Sequence, residues 1–458
     1  FRRRLAQHMQ ATGENLLEEA FEQVTDEQIE ALALKTGKLR MDSTQIASNI
    51  RQMSRVQLLV EVTQRVWRML TEEDKARYAA DFAPYLKGTS GQYTYHIEPG
   101  EASHHLEAIG HLMRRSVAEL AADYGEQETY GVLGRVYGEH FVEVETGLRP
   151  KAGQELSAQS LQSPDDWEAT YRSKNGQGYQ GYVANVTETC DPENPVQLIV
   201  KLQTEANSTD DAAMLEDAVP HLVERTDVNE MYTDGGYNSP TVDAAFNNAQ
   251  IEHFQTAIRG KQPDVDRVNV SDFVFTRDEN GTPQAVRCPA GQDAAVVPAR
   301  KPGRFAARFD AEQCATCPLR DHCPTEPLKR KPQYRILRFD QRQVNVAHRR
   351  ENQRQAKNSG RNLRSAVEAT VRSVKHPFGN HKLPVRGHIR VSLMLVASAA
   401  MVNVRRIWCC QVRKNEAKAA RNGGNTALQR PVSLALQAVQ RAFFRLLDVQ
   451  AHARAAAA

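Results

Sequence analysis

Short apolar runs with alternating polar positions predict five strands in the first 260 residues, at 39–47, 179–190, 196–203, 228–233 and 251–258. Runs of this length between clusters of Gly, Pro, Asn and Asp are typical of strands. In the first run Met41, Ser43 and Gln45 share one face, and Asp42 lies on the other. The second and third runs are separated by the turn-rich DPENP, which indicates an antiparallel hairpin.

Apolar residues spaced three and four apart predict helices over most of the remaining chain. The predicted helical stretches are 1–38, 51–155, 210–224, 242–249, 341–375 and 389–407. Ser208 and Thr209 are candidate N-caps for the third of these. Because the long stretch 51–155 separates the first strand from the second, we expect it to be a helical insertion.

The predicted order of elements matches an α/β fold, the ribonuclease-H-like mixed sheet flanked by helices. We expect a helical insertion after the first strand and a cysteine-bearing, β-rich insertion before the last catalytic helix. The expected divisions are an N-terminal helical remnant (1–38), a catalytic core (39–50 with 160–262 and 340–410), a helical insertion (51–159), a β-rich insertion (263–339) and a C-terminal helical tail (411–458).

Charge is distributed unevenly along the 458 residues, although the net charge is only +3. The segment 329–375 contains 14 Lys and Arg against 3 Asp and Glu, a bias that indicates contact with a polyanion. A solvated helix face is the alternative explanation. The apolar run 391–404 is too short to cross a bilayer and is expected to be a buried helix.

Three acidic residues are the candidate catalytic and metal-binding groups. Asp42 ends the first strand, Asp234 follows the fourth, and Glu368 lies on a basic helix. Carboxylates that meet in space can hold two divalent ions about 4 Å apart, an arrangement suited to in-line attack on a phosphodiester. The alternatives are a turn or cap at Asp42, a hairpin turn at Asp234-Gly-Gly, and a simple helical Arg364–Glu368 ion pair.

The basic helix presents cations beside its carboxylate. At about 100° per residue, Arg361, Arg364, Glu368 and Lys375 fall within roughly 60° of one another around a helix. Glu368 could therefore bind a metal ion while the three cations contact phosphates. We predict Arg361, Arg364 and Lys375 as DNA-binding residues.

Four of the seven cysteines, Cys288, Cys314, Cys317 and Cys323, occur close together in the sequence. A Cys-x2-Cys pair with two further thiolates is a possible structural Zn²⁺ site. Four reduced structural thiols are the alternative.

The chain resembles the DDE-type transposases of bacterial insertion sequences, in the group whose third motif is Tyr-x2-Arg-x3-Glu-x6-Lys. Arg364, Glu368 and Lys375 take the last three places, and Arg361 stands where the motif has Tyr. MDSTQIASNI and YTDGGYNSP are similar to the two Asp motifs, and the cysteine-bearing stretch resembles one branch of the group. The family has a further N-terminal helical domain, so the chain, which opens FRRRL, is expected to be truncated.

This resemblance implies a transposase that hydrolyses phosphodiesters at element ends and transfers strands into target DNA. It implies two Mg²⁺ (or Mn²⁺) ions per site, a homodimer on DNA, no membrane association, and a cytoplasmic, nucleoid-associated location. Two alternatives remain open: a catalytically inactive transposase remnant and a zinc-stabilised DNA-binding protein.

Overall fold

The computed structural model describes residues 2–98, 100–145, 147–174, 176–258, 263–358, 363–375 and 382–421. The helices within these ranges are α1 (Arg2–Thr12), α2 (Leu16–Leu32), α3 (Arg55–Met69), α4 (Glu72–Phe82), α5 (Ser90–Tyr95), α6 (Ala102–Glu119), α7 (Ala121–Tyr124), α8 (Glu128–His140), α9 (Asp211–Arg225), α10 (Pro240–Ala249), α11 (Ala311–Ala315), α12 (Gln341–Asn358), α13 (Val367–Lys375) and α14 (His388–Arg421).

The strands are β1 (Lys38–Ile46), β2 (Phe141–Val144), β3 (Gly147–Pro150), β4 (Thr170–Lys174), β5 (Gln177–Thr189), β6 (Ile199–Ala206), β7 (Glu230–Thr233), β8 (Glu252–Gln255), β9 (Val274–Arg277), β10 (Pro283–Arg287), β11 (Asp293–Pro298), β12 (Arg304–Asp310), β13 (Glu326–Pro327) and β14 (Tyr334–Asp340). The chain is therefore a mixed α/β protein.

The central sheet has the spatial order β6-β5-β1-β7-β8, with β4 paired to the first half of β5. β1 pairs antiparallel with β5 and parallel with β7, so it lies in the middle of the sheet. β7 and β8 are also parallel. The carboxyl ends of β1 and β7 therefore lie at the same edge, where side chains from separate motifs can meet.

Helices cover both faces of this sheet. Leu39 and Met41 of β1 pack with α9 and α10 in one apolar core. The opposite face packs against α13 and α14, with Val186 of β5 in that core. Because side chains alternate along a strand, Arg40 and Asp42 lie on the α13 face.

The stretch between β1 and β4 forms a separate helical core from α3, α6 and α8. It also contains the β2–β3 hairpin, which the helical periodicity of 51–155 does not predict. Gly110 on α6 explains how the hairpin packs: a Cβ there would lie 2.5 Å from the Phe141 ring. The absence of a side chain at Gly110 therefore leaves the space that the Phe141 ring occupies.

A second sheet follows β8, in the order β13-β14-β12-β11-β10-β9. Its core contains Phe273, Phe309 and Leu337. α12 leaves the end of β14 and returns the chain to the central sheet, where it contacts β8.

α14 has the length and apolar composition of a membrane-crossing helix over His388–Ala417, as judged within the described residues. Val391, Leu395 and Ala399 are nevertheless buried in the core beneath the central sheet. This packing agrees with the expectation of a buried helix for much of the run 391–404. The expected short length is wrong, because the helix extends to Arg421, and Met401 and Trp408 on it are exposed.

Two local expectations are corrected by the structure. The predicted helix 341–375 is not continuous, because residues 363–366 form bends and turns before α13 begins at Val367. The N-cap of α9 is Asp210 rather than Ser208 or Thr209, because its carboxylate accepts a hydrogen bond from the Ala212 amide.

Candidate active site

Asp42 and Asp234 lie at the same edge of the central sheet. The parallel pairing of β1 with β7 runs to Arg40 and Tyr232, and each aspartate is two residues further along its own strand direction. Neighbouring strands are about 4.8 Å apart, so this register brings the two carboxylates close together. Burial is the main cause of the raised pKa of Asp42, and the charge of Asp234 adds to it, as expected for two neighbouring carboxylates.

The Asp42 carboxyl is largely shielded from solvent, with 12% of its side chain exposed. Burial is the main cause of a pKa raised above the ordinary value for aspartate, and Arg364 opposes this shift. Oδ1 of Asp42 accepts a hydrogen bond of 3.1 Å from Nη2 of Arg364. The guanidinium of Arg364 therefore offsets part of the cost of burying this carboxylate.

Asp234 begins a short 3-10 turn, Gly235–Tyr237, rather than a hairpin. Its carboxylate accepts a 2.6 Å hydrogen bond from the Gly236 amide. The chain then continues into α10 and returns as the parallel strand β8, so the hairpin-turn alternative for Asp-Gly-Gly is wrong. Tyr237 is buried and donates a 2.7 Å hydrogen bond to Asn185 of β5, which fixes the turn against the sheet.

Glu368 lies in the first turn of α13, and 65% of its side chain is exposed. Nη1 of Arg364 lies 3.5 Å from Oε1 of Glu368, while Nη2 contacts Asp42. One guanidinium therefore bridges two of the three predicted carboxylates. Arg364 itself lies in the turn before the helix, since its carbonyl accepts from the Val367 amide.

Lys375 lies at the other end of α13, seven residues beyond Glu368 and thus about 10 Å along the axis. Burial, followed by the nearby charge of Lys174, lowers the pKa of its ammonium group. Arg361, the remaining predicted DNA-binding residue, lies outside the described residues.

The three carboxylates have the chemistry of a divalent-metal site. Hard carboxylate oxygens are the ligands that Mg²⁺ and Mn²⁺ prefer, and two acidic groups that repel each other are stabilised by a shared cation. In the part of the chain that the structure describes, no three Asp, Glu, His or Cys side chains are close enough to hold a metal ion as they stand. The guanidinium of Arg364 instead supplies the positive charge between Asp42 and Glu368.

The four predicted zinc ligands all belong to the second sheet and its connections. Cys288, Cys314 and Cys323 pack against the same small core. Burial is the main cause of the raised pKa of Cys314, and the nearby Cys323, Cys288 and Cys317 raise it further. Among the described residues, however, no three of these thiols are close enough together to hold a metal ion as they stand. The Gln292 amide donates a 3.3 Å hydrogen bond to the Cys288 sulfur.

Sequence reasoning missed two charged residues close to the candidate site, Arg40 and Glu188. They form a buried ion pair directly across the β1–β5 ladder. The available signal is a charged residue within each of two apolar strands, since a charge at such a position needs a partner.

Comparison with known proteins gives one family match. Residues 287–408 match the family model described as the transposase DDE domain. The match includes Arg364, Glu368, Lys375 and the four clustered cysteines, and it begins after Asp42 and Asp234. Neither the search of curated proteins nor the search of solved structures found a match.

Proposed function

We propose that this chain, whose residues 287–408 match the transposase DDE domain, is a DDE-type transposase that cuts DNA at the ends of a mobile element and joins the freed 3′ ends to target DNA. Asp42, Asp234 and Glu368 are the proposed catalytic carboxylates. The observation that carries the proposal is the meeting of three distant motifs: Arg364 contacts Asp42 and Glu368, and Asp234 ends the strand beside Asp42.

The order of the central sheet supports a ribonuclease-H-like core. Three antiparallel strands, β6, β5 and β1, are followed in space by β7 and β8 in parallel with β1. In that plan the acidic residues occupy the first strand, the end of the fourth and a late helix. Asp42, Asp234 and Glu368 occupy the corresponding elements β1, the end of β7, and α13.

The carboxylates would hold two divalent ions, Mg²⁺ or Mn²⁺. When bound, such ions lower the pKa of an attacking water or 3′-hydroxyl and stabilise the departing oxygen. The protein itself contributes a partly buried site in which Asp42 is held by β1 and Glu368 by α13. The glycines after Asp234 leave room for a DNA backbone to approach.

Arg364 and Lys375 are the proposed phosphate-binding residues. A guanidinium pairs as well with a phosphate as with a carboxylate, so DNA would compete with Asp42 and Glu368 for Arg364. Lys375, at the far end of α13, would contact a phosphate further along the same strand. A homodimer would place two such sites on two element ends.

The decisive experiment is strand cleavage and strand transfer on a labelled duplex that carries the ends of the element, with Mg²⁺ present and absent. We expect wild-type protein to nick at the ends and join the 3′ ends to a target duplex. The variants Asp42→Asn, Asp234→Asn and Glu368→Gln should bind the duplex without cutting it.

A second candidate function is DNA binding without cleavage, as a transposase remnant. It is favoured by the Arg364 bridge, which already satisfies two of the three carboxylates. In that case wild-type protein should bind the duplex, and neither Mg²⁺ nor Mn²⁺ should produce cleavage above that of Glu368→Gln.

We further propose a structural Zn²⁺ held by Cys288, Cys314, Cys317 and Cys323. The proposal is supported by four neighbouring thiols and by the amide–sulfur hydrogen bond at Cys288, which would stabilise a thiolate. A bound metal ion would compensate the mutual repulsion of four negatively charged thiolates. The thiols would have to approach one another from their present positions.

A further inference from the structure

Glu188 on β5 is a completely buried carboxylate on the α13 face of the central sheet. Its Oε1 accepts a 2.8 Å hydrogen bond from Nε of Arg40, and its Oε2 accepts one of 2.6 Å from Nη1 of Arg406. The hydroxyl of Thr370 lies 2.9 and 2.8 Å from the two oxygens. Three side chains, from β1, α13 and α14, thus meet at one anion on β5.

This cluster holds the segment that carries Glu368 from two sides. Arg40 also donates a 2.7 Å hydrogen bond from Nη1 to the carbonyl of Leu363, the residue before Arg364. Thr370 lies two residues after Glu368 and is held by Glu188 and by Nη2 of Arg406. Glu368 therefore lies between two anchored points of the chain.

Apolar packing alone would leave the helix less well defined. Val367, Val371 and Val374 bury one side of α13, but apolar contacts are non-directional and tolerate sliding and rotation. Hydrogen bonds to a fixed carboxylate set both the rotation and the translation of the helix. Stability alone does not explain the buried ion cluster, because a protein with well-packed apolar groups in its place is often equally stable.

We propose that Glu188 is a positioning residue that sets the location of Glu368 relative to Asp42, acting through Arg40 and Thr370. The strand β1 is the common reference, since Arg40 and Asp42 lie on the same face two residues apart. The inference rests on the proposed function in so far as Glu368 binds metal there.

The test compares Glu188→Gln and Thr370→Val with wild type, and adds Thr370→Ser, which keeps the hydroxyl. Glu22→Gln is the matched control, because Glu22 is a mostly buried glutamate paired with Arg225 at 3.0 Å between α2 and α9. Two quantities are measured: the Mg²⁺ concentration for half-maximal cleavage, and hydrogen exchange of the α13 amides without metal or DNA.

We expect Glu188→Gln and Thr370→Val to raise the half-maximal Mg²⁺ concentration about 10- to 100-fold, the usual effect of losing a group that orients a ligand. Exchange in α13 should accelerate in both. Thr370→Ser should stay close to wild type, and Glu22→Gln should alter neither quantity. If Glu188→Gln does not fold, Thr370→Val carries the test.

Unchanged α13 exchange in Thr370→Val would overturn the inference, and so would an equal change in Glu22→Gln. If wild-type protein does not cleave at all, the proposed function fails, and the exchange measurement still decides whether Glu188 positions α13. If wild type cleaves and the Mg²⁺ requirement of Thr370→Val is unchanged, the positioning role fails while the function stands.

Discussion

Substituting Glu368 by Gln removes one negative charge from α13 and keeps the shape of the side chain. The described ion pair of Glu368 with Arg364 is 3.5 Å long, and the glutamate is 65% exposed. Exposed ion pairs contribute about 0.2–1 kcal/mol. The free energy of unfolding should therefore fall by about 1 kcal/mol or less.

The expected effect on cleavage is far larger. Metal coordination supplies several kcal/mol of transition-state stabilisation in such reactions, and each 1.36 kcal/mol is a factor of ten in rate. A loss of about 3 kcal/mol would lower the cleavage rate by more than 100-fold. Affinity for DNA should hold or rise slightly, because a negative charge near the phosphates is removed.

The assay is single-turnover cleavage and gel-shift binding on the same element-end duplex, with thermal unfolding of each protein. Glu72→Gln is the control: Glu72 is an exposed helical glutamate paired with Lys75 at 2.9 Å. It should match Glu368→Gln in stability and wild type in cleavage. Equal cleavage by wild type and Glu368→Gln would refute the catalytic assignment, whatever the binding data show.

Three further predictions test other parts of the site. Burial raises the pKa of Asp42, and Arg364 lowers it. Because a protonated Asp42 cannot bind metal, Arg364→Met should lose cleavage on acidification at a higher pH than wild type does. Coincident pH profiles of the two proteins would contradict this prediction. Lys375→Ala should weaken DNA binding and reduce the slope of log affinity against log salt by about 1 in gel shifts at several salt concentrations. Purified protein should contain about one zinc per chain by metal analysis. The Cys314→Ser variant should lose this zinc, and the Cys409→Ser variant should keep it. If wild-type protein contains no zinc, the four cysteines are structural thiols.

Local sequence pattern predicts five of the six strands of the central sheet, and it does not predict β4. The run 39–47 is predicted within one residue of β1, because Leu39 and Met41 alternate with polar residues in a short run. The β2–β3 hairpin has four-residue strands and depends on Phe141 packing over Gly110, a contact between distant parts of the sequence. Helical periodicity in its neighbours conceals so short an element.

The candidate site is less accessible to sequence reasoning than the strands are. The order of the acidic motifs suggests that Asp42, Asp234 and Glu368 converge, and their roles as metal ligands remain a prediction. The assumption of one continuous helix places Arg364 on a helical face, whereas it lies in the preceding turn and reaches Asp42. Such a contact depends on tertiary structure, which spacing along a helix cannot express.

Arg40 and Arg364 contact different groups at the site. Arg40 is buried and holds the backbone at Leu363, while the next residue, Arg364, extends to the carboxylates with 17% of its side chain exposed. Removing Arg364 should therefore change the response to DNA and pH and leave α13 in place. Removing Arg40 should change the response to DNA and pH and also the position of α13. It leaves Glu188 with one fewer cation and releases the backbone before Arg364. In the proposed arrangement, the placement of Glu368 depends on Glu188, a carboxylate that is completely buried.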